Sequence, residues 1–209
     1  FVAKGIWAHV FKGTGPAGEE VALKMLHGFK EQKEKNGDPK PFEKLMPPRN
    51  SAEQQAENAI ECKIHKYMQS IADGADCAKV PMMLGSDATN AAIEFIEAMS
   101  LEAFLRESDR SKIDDADAAA AVALQVKKVL AVVIKKVFTL YGRAKEAQFS
   151  HRDLNDGNIM LRLNVNVEDV KCLDDVDVWL FDFGKSMARI DGSMVSGGMW
   201  NPIHMPKND

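Results

Sequence analysis

Two polar blocks dominate the last third of this chain. HRDLNDGN occupies positions 151–158 and DFG positions 182–184, and each ends an apolar run. The stretches that follow and precede them, NIMLRLNV and DVWLFDF, alternate or run apolar as the two strands of a hairpin do, with NVEDVKCLDD between them. Ten positions from His151 hold a histidine, an arginine, two aspartates and two asparagines. Any fold must place that concentration of polar side chains where each finds a partner or a ligand.

Upstream, the pattern is strand-rich first and helical later. IWAHVFKG and EEVALKML read as strands around a Gly/Pro turn, GTGPAG. Residues 28–50 carry four prolines and many lysines and read as a long exposed excursion. A helix is expected from Ser51, a good N-cap, to about Ile71. Short apolar stretches at 80–85 and 91–96 flank the turn SDATN as a strand pair. A short helix is expected near 101–107 and a long one from about 115 to 145, capped by Asp114 or Asp115. The final 25 residues hold Gly, Met, Ser and Pro without periodicity. This is an α+β pattern compatible with two lobes, an N-lobe of about 1–96 and a C-lobe of about 97–209 in one domain.

Composition narrows the function classes. With 209 residues, 45% hydrophobic and 28% charged, the chain can bury a sizeable core. A net charge of −4 argues against a surface built to grip nucleic acid. The most apolar region, AAAAVALQVKKVLAVVIKKVFTLY, is broken by Lys127, Lys128, Lys135 and Lys136, so no membrane span is expected. Lys128 and Lys135, seven apart, give that helix one wet edge. Cys62, Cys77 and Cys172 are odd in number and far apart, as reduced thiols in a cytosolic protein are. Cys62 with His65 is half a zinc site with no second pair nearby. No signal peptide is read, and because the chain begins at Phe1 the natural N-terminus is expected to be missing.

Phosphoryl transfer needs charge placement more than covalent chemistry. A group must orient a hydroxyl, oxygen ligands must hold Mg²⁺ against phosphates, and a cation must grip the nucleotide. Asp153, Asn158 and Asp182 supply the first two kinds of group, since carboxylate and amide oxygens suit a hard ion with few protein ligands. In this combination HRDLNDGN resembles the catalytic loop, and DFG the metal-binding loop, of the protein-kinase superfamily. The resemblance implies a two-lobed fold binding ATP and Mg²⁺. Asp153 would be the catalytic base, Asn158 and Asp182 the metal ligands, and His151 a packing residue, with Arg152 structural.

The same resemblance assigns residues upstream. VALK would place Lys24 as the α/β-phosphate clamp, with Ala22 against the adenine. AENAIECKIHKYM offers Glu57 and Glu61, four apart on one face, as partner of Lys24. The run Glu-x-x-Ile-x-x-x-Met after Glu61 favours Glu61. AAIEFIEAMSLEAFL resembles the adenine-reading hinge, with Ile93 as gatekeeper and Glu94 to Ile96 as connector. Aligned on the Gly-rich loop, AKGIWAHVFKG keeps only Gly5 of three glycines, has Ala3 and Ala8 in the other places, and sets Val10 over the adenine. Asn155 stands where serine/threonine kinases carry a lysine, which removes a cation from the developing charge. No A-P-E follows DFG, and the segment after it is too short for the usual helical substrate subdomain.

Such a reduced kinase resembles the small bacterial effector kinases of the HopBF type, which type III secretion delivers into a host cytoplasm. That resemblance implies a monomeric serine/threonine kinase whose protein substrate is a host chaperone, the ninety-kilodalton heat-shock protein. Two other readings stand beside it. One is a small-molecule kinase like the aminoglycoside and choline phosphotransferases, which share the missing lysine. The other is a pseudokinase that binds nucleotide and a partner without chemistry.

Overall fold

A computed structural model describes residues 3–4, 8–26, 52–109 and 113–197. Gly5, Ser51, the proline-rich excursion and Trp200 lie outside those residues. Strands β1 (Ala3–Lys4), β2 (Ala8–Thr14), β3 (Glu20–Leu26), β4 (Met83–Ser86) and β5 (Asn90–Glu94) form an antiparallel sheet in the order β1-β2-β3-β5-β4. The turn between β2 and β3 closes through Gly18 N donating to Gly15 O (3.0 Å), with Gly18 at φ +86°, a conformation that suits glycine. Register then sets Val10 opposite Lys24, and Ala22 between Lys12 and Ile93.

Helix α1 (Ala52–Ile71) lies against this sheet and turns one face inward: Asn58, Cys62, Ile64, His65 and Met68 are buried, at helical spacing. Its two buried polar side chains are both satisfied. Asn58 Nδ2 donates to Asp87 O at 2.9 Å, and His65 Nε2 donates to Pro81 O at 2.7 Å. Those bonds fix the rotation of α1 about its axis, and with it the direction of Glu61.

The second half begins with β6 (Met99–Ser100) and α2 (Leu101–Glu107), whose N-cap Ser100 accepts from Ala103 N. The long helix α3 (Ala116–Arg143) is capped by Asp115, which accepts from Asp117 N (2.8 Å) and Ala118 N (3.0 Å). Strands β7 (Ile159–Leu163) and β8 (Val176–Leu180) form the expected hairpin, with β6 on its outer edge. Val129, Val133 and Leu140 of α3 meet Leu161, Val178 and Leu180 in one apolar core that also takes in Ile64 and Met68 of α1. α1 is thereby rooted in both halves.

The tail differs from the sequence reading. Residues read as aperiodic contain a second hairpin, β9 (Met187–Ile190) and β10 (Ser193–Ser196). Its turn is Asp191-Gly192, with φ of 52° and 76°, the left-handed pair that a two-residue hairpin turn requires. Four-residue strands are too short to show a period, but the Asp-Gly pair was a readable turn signal. α1 touches both new strands, and Lys63 Nζ sits 3.4 Å from Asp191 Oδ2.

Lys128 and Lys135 are exposed as expected, as is Lys127 beside them, whereas Lys136 falls on the buried stripe of α3 and is only 1% exposed. Burial pushes its ammonium below the ordinary lysine range, and no described residue hydrogen-bonds or ion-pairs with it. Lys136→Met keeps the bulk and removes the charge, and is expected to raise stability in denaturant titrations at neutral pH. Because the folded-state pKa is depressed, the unfolded chain binds more protons between the two pKa values. Wild-type stability should therefore rise as pH approaches the unfolded lysine value of about 10.4, and the gap to the variant should narrow. A gap independent of pH would show that Lys136 is not titrating in the core.

Cys62 and Cys77 are buried free thiols and Cys172 an exposed one. His65 spends its Nε2 on Pro81, and among the described residues no three His, Cys, Asp or Glu side chains converge as a metal cluster. No helix among them is long and apolar enough to cross a membrane.

Candidate active site

Lys24, in the middle of β3, points its ammonium at two acids. Nζ lies 2.5 Å from Glu61 Oε1 and 3.3 Å from Asp182 Oδ1. Burial works against that ammonium, but the charges of Glu61 and then Asp182 outweigh it and hold Lys24 above its ordinary range. In return the Lys24 charge, against a smaller opposing effect of burial, holds the Asp182 carboxyl below its usual range. The triangle joins strand β3, helix α1 and the loop after β8. Gly184 makes room for it: a Cβ there would sit 3.3 Å from both Asp182 Oδ1 and Glu61 Oε2.

The loop from His151 to Asn158 is held by its own side chains. Asn155 Oδ1 accepts from Gly157 N (2.9 Å) and Asn158 N (3.2 Å), capping a single 3₁₀ turn over Asp156–Asn158. Asn155 Nδ2 and Asn158 Nδ2 both donate to Asp153 O, at 3.0 and 2.9 Å. The Asp153 carboxylate is thus left free of the loop, and its Oδ2 lies 2.9 Å from Lys185 Nζ.

Phe181, just before Asp182, ties the two polar blocks together. Its N–H donates to Asn158 O (3.0 Å), and its carbonyl accepts from His151 Nε2 (2.9 Å). These bonds set Asp182 beside the loop that carries Asp153 and Asn158. His151 must carry its proton on Nε2, and its buried Nδ1 has no partner. Burial lowers the pKa of both His151 and His65, so both rings are neutral. The fully buried Phe183 sits between them, with ring centroids 5.3 Å from His65 and 5.4 Å from His151. A column of rings therefore runs from α1 to the polar loop.

Arg152 faces away from this chemistry. It adopts φ 59°, and its Nη2 donates to Ser186 O (3.1 Å), Ser196 Oγ (2.8 Å) and Gly197 O (2.8 Å), clamping the β9–β10 hairpin to the loop. Gly197 is required there, because a Cβ would lie 2.6 Å from the Gly184 carbonyl.

The strand order, the placement of Lys24 beside Glu61 and Asp182, and the loop bonds at Asp153 can be set against known proteins. No family model matches the chain, and no curated protein does. Among solved structures it is similar to Rio2 kinase of Chaetomium thermophilum in complex with ADP, Mg²⁺ and phosphoaspartate. That likeness has a TM-score of 0.51 at 13% identity over 89% of this chain and 47% of the other. A second Rio2 kinase structure from the same organism gives 0.51 at 14% identity, over 88% of this chain and 48% of the other. The fold is α+β and protein-kinase-like. The chain spans about half the length of these Rio2 kinase chains.

On this kinase-like fold the remaining predicted positions are spread. Val10 lies opposite Lys24 on β2 and is half-buried, and Ala22 lies two positions before Lys24 on β3 and is buried. Gly5 lies outside the described residues. Glu94 ends β5 and donates its N–H to Met82 O, and Ile96 is buried just beyond. Both line a cavity of about 730 Å³ with Lys79, Lys136, Arg162 and Trp179, on a part of the surface that includes none of Lys24, Asp153, Asn158 or Asp182. Sequence reasoning passed over Lys185. Only the fold brings it to Asp153, 32 positions away in the chain.

Proposed function

We propose that this chain is an ATP-dependent protein kinase that transfers the γ-phosphoryl group to a serine or threonine hydroxyl. The observation that carries the reading is the Lys24–Glu61–Asp182 triangle, held by Phe181 against a loop that frees the Asp153 carboxylate. Lys24 grips the α- and β-phosphates, Val10 and Ala22 flank the adenine, and the 94–96 segment reads it through backbone groups. Gly5, by the sequence resemblance, belongs to the loop over the phosphates. Asp153 accepts the proton of the attacking hydroxyl.

The donor set suits Mg²⁺. Asp182 is an exposed, ionised carboxylate, and the bond from Asn158 Nδ2 to Asp153 O leaves Asn158 Oδ1 without a hydrogen bond among the described residues. Two hard oxygens with room for water and phosphate are what this ion takes from a protein. Bound there, Mg²⁺ would supply charge neutralisation at the phosphates. The ADP and Mg²⁺ in the Rio2 kinase complex lend the same support.

We also carry forward the division into an N-lobe of about 1–96 and a C-lobe of about 97–209, and a monomeric state. A second reading, transfer to a small molecule, is favoured by Asn155, whose side chain caps a turn where protein kinases carry a cation. Incubation with γ-labelled ATP and Mg²⁺, with protein and small-molecule products separated, tests both. The HopBF-type resemblance, with secretion into a host cytosol, makes the ninety-kilodalton heat-shock protein the first acceptor to include. Label in proteins supports the kinase reading, label in small molecules the second. Label in neither, with nucleotide bound, would support a pseudokinase.

A further inference from the structure

We propose that Lys185 is the cation that faces the transferred phosphoryl group, doing from the loop after β8 what Asn155 cannot do from the catalytic loop. This rests on the kinase reading above. In that reaction the acceptor oxygen bonds to the γ-phosphorus, and its proton passes to the Asp153 carboxylate. The bond between the γ-phosphorus and the β–γ bridging oxygen breaks, and ADP leaves with that electron pair. Negative charge spreads over the equatorial and bridging oxygens, and a preorganised cation beside them lowers the barrier.

Among the described residues, the other cations of the site are committed. Lys24 is shared between Glu61 and Asp182, and Arg152 holds the β9–β10 hairpin. Asn155 spends both ends of its amide inside the loop, on Asp153 O, Gly157 N and Asn158 N. Lys185 is different. Its Nζ lies 2.9 Å from Asp153 Oδ2, the group that receives the acceptor's proton, so it stands within a few ångströms of the oxygen being phosphorylated. Its side chain is half-exposed, 52%, and free to move from the carboxylate to a phosphoryl oxygen.

The backbone beneath it is fixed. Ser186, fully buried, donates its N–H to Phe183 O (2.9 Å) and its hydroxyl to His151 O (3.2 Å), and Met187 N donates to Ser150 O (2.8 Å). A rigid anchor with a mobile charged tip suits a group that must follow charge as it develops. The same ammonium pairs with Asp153, so the cation and the base stand together.

The test compares Lys185→Met, Lys185→Arg and Asp153→Asn with wild type, using Mg²⁺–ATP with water as acceptor, so that no protein substrate need be known. Lys185→Met is expected to lower the turnover of ATP hydrolysis by about 10²–10³-fold, with Mg²⁺–ATP affinity changed by less than about twofold. Lys185→Arg should recover at least about tenfold of the loss, because it restores the charge. Binding of Mg²⁺–ADP with and without aluminium fluoride, a mimic of the phosphoryl in flight, separates this role from mere support of Asp153. Lys185→Met should lose the extra affinity that aluminium fluoride confers. Full retention of that extra affinity, or near-wild-type turnover in Lys185→Met while Asp153→Asn is inactive, overturns the role of Lys185 and leaves the kinase reading intact. Wild-type turnover in Asp153→Asn overturns both.

Discussion

Asp153→Asn is expected to slow phosphoryl transfer by about 10²–10⁴-fold, the usual loss for a general base, while Mg²⁺–ATP binds nearly as in wild type. The separation follows from how the loop is built. The side chains of Asn155 and Asn158 are anchored on the backbone carbonyl of Asp153, not its carboxylate, so the substitution leaves Asn158 in place. Asparagine can still accept from Lys185, which preserves the local packing. Single-turnover quench measurements with calorimetric titration of nucleotide would show both halves of the effect. Unchanged turnover would remove Asp153 from the base role.

Asp182→Asn is expected to abolish the Mg²⁺-dependent part of nucleotide binding. At a ligand concentration of about 100 Kd, mass action stabilises a native protein by about 2.7 kcal/mol, so the wild type should show a clear rise in melting temperature with ATP that grows when Mg²⁺ is added. The variant should lose that growth. Asparagine is the informative replacement because residue 182 sits at φ 59°, which Asp and Asn tolerate better than Ala. Acid titration gives an independent check. The Asp182 carboxyl is depressed by Lys24, so its contribution is present above the unfolded aspartate value of about 3.9 and is lost as pH falls through the lower folded value. Wild type and variant should therefore converge in stability at strongly acidic pH. A variant that kept the full Mg²⁺-dependent shift would place the metal elsewhere.

What could be read in advance came from local pattern and from family likeness. Glu61 was preferred to Glu57 because the run Glu-x-x-Ile-x-x-x-Met resembles the family, and in the structure Ile64 and Met68 are buried while Glu61 reaches Lys24. Of Asp114 and Asp115, the two caps offered for the long helix, Asp115 is the one used. Asn155 was read as a missing cation, and the structure adds that it is a turn-capping residue. The contact between Lys185 and Asp153 had no local trace, because it exists only once β8 lies along β7 and the chain turns back at Gly184. The burial of Lys136 was not read: its helical spacing sets it with Val129, Val132 and Val133, and packing there overrides the preference of its charge for water.

Helix α1 is seated on the five-stranded sheet through Asn58 and Glu61, and on the tail hairpin through Lys63 and its contacts with β9 and β10. A helix fastened to two elements transmits force. Tilting the hairpin must draw Glu61 away from Lys24, and binding that tightens Lys24 must in turn stiffen the hairpin, since such coupling is reciprocal by thermodynamic necessity. A protein that gripped β9 and β10 would therefore hold a handle on nucleotide affinity from outside the phosphate site.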